Sequence, residues 1–213
     1  MLRRTTALAA LALSLGLTLP GRSAAALAQD AGAGSTASPS QTVTDLAEWA
    51  VASGDTNGLP FVIVEKLSAQ VFVFDRQGRP LGSTPALLGI APGDESTPGI
   101  GDRKLSDIGI EERTTPAGRF LAGFGPAAGH GETFWVDFST ALALHPVVST
   151  NRQEQRVKRL QSPASDDNRI TYGCINVPTK FYASVIRPLF SKTTGVVYIL
   201  PETKPLKDVF TSL

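Results

Sequence analysis

The sequence predicts a mainly β domain with a few short helices. Short runs of β-branched and aromatic residues, which are typical of strands, recur along the chain and are separated by turn residues. Helical periodicity is confined to three short segments, at 42–53, 151–160 and 179–190. Four prolines stand at or near the ends of predicted elements, where a missing N–H costs least: Pro60, Pro116, Pro146 and Pro178.

The chain begins with the features of an export signal. Two arginines precede an apolar run at 7–19, which is too short for a membrane-spanning helix, and Ala26-Leu27-Ala28 has the small residues of a cleavage site. We expect residues 1–28 to be a signal peptide that is cleaved after Ala28. Cleavage near Ala25 and retention as an uncleaved anchor are the alternatives. In each case the rest of the chain lies outside the cytoplasm.

Residues 29–58 predict a flexible leader that contains one short helix. The stretch 31–40 consists of Ala, Gly, Ser, Thr and Pro, with almost no side chain to bury. The helical segment, 42–53, has Thr42 or Thr44 as its candidate cap. Its apolar side consists of Leu46, Trp49, Ala50 and Val51.

The charge balance gives no case for a nucleic-acid partner. The whole chain has 20 basic and 19 acidic residues. Three arginines and no acidic residue lie within 1–28, so the remainder carries 17 basic and 19 acidic side chains. A nearly neutral protein has no electrostatic attraction for a phosphate backbone.

Residues 59–213 are enough for one domain with one core. The first two strands, 61–66 and 70–75, are separated by a short turn and predict a hairpin. A long surface loop is expected at 92–107, which is rich in Gly, Pro and Asp. Further strands are expected at 85–90, 118–123, 134–138, 142–148 and 195–200, and further helices at 151–160 and 179–190.

Cys174 is the one cysteine of the chain. In an oxidising compartment, a cysteine without an internal partner is either buried as a small apolar residue or kept as a reactive thiol. Only about a few per cent of a free thiol is ionised at neutral pH. A nucleophilic cysteine therefore needs a base or a positive field beside it.

The chain offers two histidines as that base. His130 lies between glycines, which predicts a solvent-exposed loop tip. His145 lies in the apolar strand 142–148, which can hold its ring rigidly, so we favour His145. The alternative for His145 is a core histidine satisfied by a backbone carbonyl. One cysteine and two histidines do not make a recognisable zinc set, and no nucleotide-binding loop occurs, so we expect neither a metal nor a cofactor.

Four features follow one another in the order of a known family. The paired strands at 61–75 are followed by Thr115-Pro116-Ala117-Gly118-Arg119-Phe120, by the His145 strand, and by Thr171-Tyr172-Gly173-Cys174-Ile175-Asn176. Over residues 59–201 this arrangement resembles the L,D-transpeptidase catalytic domain, the YkuD family, which crosslinks bacterial peptidoglycan outside the membrane. The resemblance implies a mixed β-sandwich or barrel over residues 59–213, and a location in the periplasm or cell envelope.

The resemblance also implies an active site around Cys174. Cys174 would be the nucleophile that attacks the bond between the third and fourth residues of a tetrapeptide stem, and His145 would be the general base and acid. Gly173 would shape an oxyanion hole made of backbone N–H groups. Thr171 would orient the histidine or hold the cysteine loop, and a local backbone cap is the alternative. The family resemblance further implies acylation of Cys174 by carbapenems.

Three further residues are candidates for binding peptidoglycan stem peptides. Asn176 stands at the family's Arg or Asn position and would orient the donor peptide. Arg169 would pair with a stem carboxylate, unless Asp166 and Asp167 hold it in an ion pair. Tyr172 is the third candidate, at a position where many members carry His or Lys.

The spacing of the histidine departs from the family. Pro146 follows His145 where members usually carry Gly or Ser, and the 29 residues from His145 to Cys174 exceed the family's separation. The extra residues, 149–168, can form a long loop on the surface, because each doubling of loop length adds only about 0.6 kcal/mol to the free energy of loop closure. Three arginines there recur at helical spacing and predict either a solvated face or a lid that meets stem carboxylates: Arg152, Arg156 and Arg159.

Three functions fit the same residues. The first is L,D-transpeptidation, with a second stem or a wall-attached protein as the acceptor. The second is hydrolysis, by an L,D-carboxypeptidase or an endopeptidase. The third is a non-catalytic scaffold that binds the wall and whose thiol is incidental, and the unusual histidine spacing is its best support.

Overall fold

The computed structural model describes residues 37–127 and 131–211. The expected signal peptide, the first part of the leader and His130 lie outside the described residues. Among the helices of the described ranges, none combines the length and the apolar character that a membrane span requires.

Strands dominate the described part of the chain, as the sequence predicts. The ten strands are β1 Phe61–Glu65, β2 Gln70–Phe74, β3 Pro80–Pro85, β4 Leu88–Gly89, β5 Gly118–Ala127, β6 Gly131–Asp137, β7 Leu142–Pro146, β8 Arg169–Thr171, β9 Ile175–Val177 and β10 Gly195–Ile199. Eight of them form one mixed sheet in the order β3-β2-β1-β10-β5-β6-β7-β9, and β4 pairs with β8. Within the large sheet, β1 runs parallel to β10 and β7 runs parallel to β9, whereas the other neighbours are antiparallel.

The helices are short and lie outside the sheet order. They are α1 Gln41–Ala52, α2 Arg156–Arg159, α3 Thr179–Phe181, α4 Arg187–Phe190 and α5 Leu206–Val209, with a π-helical turn at Tyr182–Ile186 between α3 and α4. The predicted mainly β class with a few short helices is therefore confirmed.

The strands β1, β2 and β10 are buried on both faces, which explains why their sequences are continuous apolar runs. One face packs in a cluster that includes Val62, Val71 and Ile186. The opposite face packs under α1, where Phe61 and Leu46 belong to a second cluster. Two-sided burial removes the polar alternation that marks a half-exposed strand.

Several boundaries differ from the sequence prediction for local reasons. Helix α1 is capped by Ser40, whose Oγ accepts the Val43 N–H at 3.2 Å, and not by Thr42 or Thr44. The helix predicted at 151–160 is interrupted, because Gln155 adopts a left-handed conformation (φ 48°) between a 3-10 turn and α2. The strand predicted at 85–90 is replaced by β3 and the two-residue β4, and the prediction missed β8 and β9.

Candidate active site

Cys174 lies in the turn between β8 and β9, and the side chain of Thr171 holds that turn. The Thr171 hydroxyl donates to the Cys174 carbonyl at 2.7 Å and accepts the Gly173 N–H at 3.1 Å. Gly173 has a φ of 128°, and a Cβ there would lie 2.6 Å from the Thr114 carbonyl oxygen. The turn therefore requires glycine, for both its dihedral angle and its close approach. Because Thr171 already accepts the Gly173 N–H, that donor is engaged within the turn.

Thr115 ties the cysteine turn to the neighbouring strand β4. Its side chain is fully buried, donates to the Gly173 carbonyl at 2.8 Å and accepts the Gly89 N–H at 2.8 Å. Each such bond contributes about 1 kcal/mol net, and an unpaired buried group would cost more. The sequence marked Thr115 only as part of a motif. Its contact with Gly173 depends on the fold.

The parallel pairing of β7 with β9 brings His145 directly beside Asn176. The adjacent pair, Leu144 and Ile175, is buried in the core, so His145 and Asn176 face the other side of the sheet. Cys174 immediately precedes β9, and its thiol reaches the backbone of Ala141 and Ala143, the latter two residues before His145 on β7. The long separation of His145 from Cys174 in sequence is accommodated by an excursion, residues 147–168, which leaves after β7 and returns before β8.

Both ring nitrogens of His145 are close to polar atoms of the protein. Nδ1 lies 2.9 Å from the Pro146 carbonyl oxygen, and Nε2 lies 3.1 Å from the Asn176 Nδ2. The ring is therefore held by the backbone on one side and by a side-chain amide on the other.

Asn176, the residue expected to contact a donor peptide, is hydrogen-bonded within the protein. Its side chain is buried, with 1% of the residue exposed, and Oδ1 accepts a hydrogen bond from the Arg156 Nη1 at 2.9 Å. Arg156 also pairs with Glu154, at 2.5 Å between Nε and Oε2. A buried amide whose two ends are both bonded has little freedom to turn toward a ligand.

The three arginines of the excursion do not form one stripe. Arg156 points to Asn176, whereas Arg159 donates to the carbonyls of Glu154 and Asp167 at 2.9 and 2.8 Å. Arg152 is exposed. The left-handed Gln155 rotates Arg152 away from the other two, which breaks the spacing of a continuous helix.

Arg169 forms an ion pair with Glu202 and not with Asp166 or Asp167, the partners that the sequence offered. Its guanidinium makes two bonds to the Glu202 carboxylate and one, at 3.1 Å, to the Lys66 carbonyl. The side chain is 14% exposed. The acidic partner of Arg169 in the structure is therefore Glu202, which the sequence had not offered as a partner.

Tyr172 lies under the guanidinium of Arg113, whose Cζ is 3.9 Å from the ring centre. Arg113 is fixed in turn by bonds to the Ile108 carbonyl at 2.9 and 3.2 Å. This cation–π stack joins the cysteine turn to the segment 96–116, which precedes β5.

The Cys174 thiol lines a cavity of about 80 Å³ beneath the segment 96–108. Its Sγ donates to the Ala141 carbonyl at 3.5 Å. Burial raises the pKa of the Cys174 thiol above its ordinary value, and the backbone of Ala143 and the charge of Arg156 oppose this rise. The thiol is therefore protonated at neutral pH and needs a base before it can react.

The segment 96–108 is packed closely over the turn that follows β6. A Cβ on Gly101 would lie 2.2 Å from the Ser139 carbonyl oxygen, so Gly101→Ala forces the segment away from this turn. We expect Gly101→Ala to raise the rate of Cys174 alkylation by iodoacetamide about tenfold, equivalent to about 1.4 kcal/mol in the opening equilibrium. Ser106→Ala is the matched control, because Ser106 is an exposed residue of the same segment. Equal rates in both variants and the native protein would show that the segment does not limit access to the thiol.

In the described ranges, no group of three or more His, Cys, Asp or Glu side chains is arranged to hold a metal ion.

No family model and no curated protein sequence matches the chain. Among solved structures, LD transpeptidase LdtMt1 in complex with imipenem is 18% identical over 66% of this chain and 58% of that one, with a TM-score of 0.38. The catalytic domain of an L,D-transpeptidase from E. faecium is 14% identical over 66% of this chain and 96% of that one, with a TM-score of 0.33. The helical cell shape determining protein Pgp2 from Campylobacter jejuni is 13% identical over 74% of this chain and 56% of that one, with a TM-score of 0.46. The chain thus spans less than two thirds of LdtMt1 and of Pgp2, and at these identities and TM-scores the similarities do not decide function.

Proposed function

We propose that the protein is an L,D-transpeptidase, an acyltransferase that acts on peptidoglycan stem peptides outside the cytoplasm. The observation that carries the proposal is the placement of the lone thiol. Cys174 lies in a glycine turn braced by Thr171 and Thr115, next to the strand pair that holds His145. The order of these motifs along the chain, which resembles the L,D-transpeptidase family, supports the same assignment.

In the proposed reaction, His145 takes the proton of the Cys174 thiol, and the thiolate attacks the carbonyl carbon between the third and fourth stem residues. The C–N bond to the fourth residue breaks, and the D-alanine leaves with a proton returned by His145. The enzyme is left as a thioester. An amine of a second stem then attacks the thioester carbonyl, which forms the new amide and releases the thiol.

The negative charge on the carbonyl oxygen during these steps requires donors. Because the Gly173 N–H is bonded to Thr171, we assign the donor role to the N–H groups of Tyr172 and Cys174. In this assignment Gly173 shapes the turn by its positive φ, and its own N–H braces the turn. Asn176 and Arg169, which are engaged within the protein, are left out of stem binding, whereas Tyr172 at the edge of the cavity remains a candidate.

Export after cleavage near Ala28, a location in the periplasm or cell envelope, and a part in cell-wall biogenesis and cell shape belong to the same proposal. The acceptor is a second stem peptide, and a wall-attached protein is the alternative. Water in place of the amine would give an L,D-carboxypeptidase or endopeptidase with the same residues.

One observation favours the non-catalytic scaffold instead. Both ring nitrogens of His145 lie within hydrogen-bonding distance of other protein atoms, and the pKa of the Cys174 thiol is raised by burial. A site that is kept in this state would bind peptidoglycan without reacting.

Incubation of the protein, residues 29–213, with disaccharide-tetrapeptides separates these functions. We expect D-alanine release and crosslinked dimers, both lost in Cys174→Ala, because the acyl intermediate forms on the Cys174 sulfur. Release without dimers would assign hydrolysis, and binding without release would support the scaffold and contradict the proposal. Intact-protein mass spectrometry after imipenem treatment is a second readout, in which an adduct on wild type and none on Cys174→Ala is expected.

A further inference from the structure

Arg156 belongs to the excursion between β7 and β8, yet its side chain is directed toward the site. It is 14% exposed, donates from Nη1 to the Asn176 Oδ1 at 2.9 Å, and donates from Nε to the Glu154 Oε2 at 2.5 Å. Glu154 therefore restrains the guanidinium, and the guanidinium restrains the amide of Asn176. A planar guanidinium with two fixed partners is a rigid donor.

The hydrogen bond from Arg156 sets the orientation of the Asn176 side-chain amide. A guanidinium can only donate, so the atom of Asn176 that faces Arg156 must be the amide oxygen. The amide nitrogen is then the atom that faces His145, at 3.1 Å from Nε2. Without Arg156, the two ends of the amide could exchange by a simple flip.

The orientation of Asn176 in turn sets the tautomer of His145. An amide nitrogen can only donate, so Nε2 must accept and must be unprotonated. The proton of the neutral ring is then on Nδ1, which donates to the Pro146 carbonyl at 2.9 Å. A proton on Nε2 would place two donors against each other, unless Asn176 turned away from the ring.

We propose that Arg156 is a positioning residue of the site, which acts together with the Pro146 carbonyl to hold the Nδ1–H tautomer of His145, through the amide of Asn176. The proposal rests on the proposed function in so far as His145 is the base of that reaction. The tautomer itself is a property of the folded protein and can be measured without a substrate.

The charge of Arg156 has a second consequence at Cys174. It lowers the pKa of the thiol against the effect of burial. The other titratable or charged groups around the thiol are His145 on β7, Tyr172 with Arg113 above it, and Arg103 of the covering segment, which is paired with Glu112. Loss of Arg156 is therefore expected to move the alkylation profile of Cys174 to higher pH.

The test is the nitrogen-15 NMR spectrum of the imidazole rings, which distinguishes the two neutral tautomers and the imidazolium. The chain has two histidines, so His130→Gln assigns the signals of His145. In wild type we expect the Nδ1–H tautomer. In Arg156→Met and Arg156→Gln we expect the single Nδ1–H signal to be lost, because an inverted Asn176 amide would present its oxygen to Nε2 and compete with the Pro146 carbonyl for a ring proton.

Two arginines of the same excursion provide matched controls. Arg152→Met removes an exposed charge, and Arg159→Met removes contacts to Glu154 and Asp167 without touching Asn176. Both controls should keep the wild-type tautomer. An Nε2–H tautomer in wild type, or an unchanged tautomer in a folded Arg156 variant, would overturn the proposal. If the proposed reaction were absent while the tautomer responded to Arg156 as expected, the inference would stand and the function would fail.

Discussion

The variant His145→Gln is expected to lower the rate of D-alanine release by a factor of about 10²–10⁴, the usual contribution of a general base. The reason is the raised pKa of the Cys174 thiol, which leaves little thiolate at neutral pH unless a base removes the proton. The measurement is the release of D-alanine from a disaccharide-tetrapeptide at pH 7. Alkylation of Cys174 by iodoacetamide at the same pH is a second measurement that does not need the substrate.

His130→Gln is the matched control, because His130 is the second histidine of the chain and is predicted to be a solvent-exposed loop tip. It should leave both rates unchanged. Thermal unfolding of the two variants shows whether His145→Gln acts through the reaction or through stability. A His145→Gln protein that is folded and retains the wild-type rate of D-alanine release would remove His145 from the mechanism.

The variant Asp94→Asn is expected to lower the free energy of unfolding by about 3–5 kcal/mol, the typical cost of breaking a buried ion pair. Asp94 pairs with Lys66 at 2.6 Å, and both side chains have no exposed surface. Lys66 also donates to the Gly93 and Thr115 carbonyls, at 2.5 and 2.9 Å. Within the part of the chain that the structure describes, the neutral amide would leave this ammonium with Glu202, at 3.4 Å, as its anionic partner.

The Asp94 carboxylate also accepts hydrogen bonds from the backbone N–H groups of Glu202, Thr203 and Lys204. In the Asp94→Asn variant the side-chain NH₂ group would face some of these N–H groups, and two donors cannot bond each other. The measurement is urea unfolding at pH 7. Asp75→Asn is the matched control, because Asp75 pairs with Arg79, whose side chain is 75% exposed, and such pairs contribute at most about 1 kcal/mol. We call Lys66, Asp94 and Glu202 the buried cluster. Equal losses of unfolding free energy in the two variants would contradict its assignment as a main source of stability.

The same aspartate predicts a pH dependence of stability. Burial alone would raise the pKa of Asp94, but the bonds from Lys66, Thr203 and Glu202 outweigh burial and hold the pKa well below its usual range. A lowered pKa in the folded state contributes stability above the unfolded value of about 3.9, and this stability is lost as the pH falls through the folded pKa. The Asp94→Asn protein should lack this part of the acid dependence.

The buried cluster also bears on the site. The Lys66 ammonium holds the Thr115 carbonyl, and the Thr115 hydroxyl holds Gly173 beside the nucleophile. Arg169 enters the cluster through Glu202. Arg169, which the sequence offered as a substrate contact, is thus bonded within the protein to the same cluster that holds Thr115.

Local sequence was enough to predict strands β1, β2, β5, β6, β7 and β10, helix α1 and the candidate reactive pair of Cys174 and His145. Continuous apolar runs such as 61–64 and 71–74 can be buried only as two-sided strands or core helices, and their β-branched and aromatic content decides between them. A lone thiol in a glycine turn and a histidine in an apolar strand could likewise be singled out from residue type and neighbours alone. These properties depend on contacts between residues close together in the chain.

The tertiary structure alone decided the partners of the polar side chains. Asn176, Arg156 and Arg169 each had a plausible ligand in the sequence, but the structure joins Arg156 to Asn176, 20 positions away, and Arg169 to Glu202, 33 positions away. A charged or amide group is satisfied by whichever complementary group the fold brings within about 3 Å, and sequence spacing does not encode that distance. The excursion that lengthens the path from His145 to Cys174 is the clearest case, because parallel pairing of β7 with β9 places His145 beside Asn176 whatever the length of chain between them.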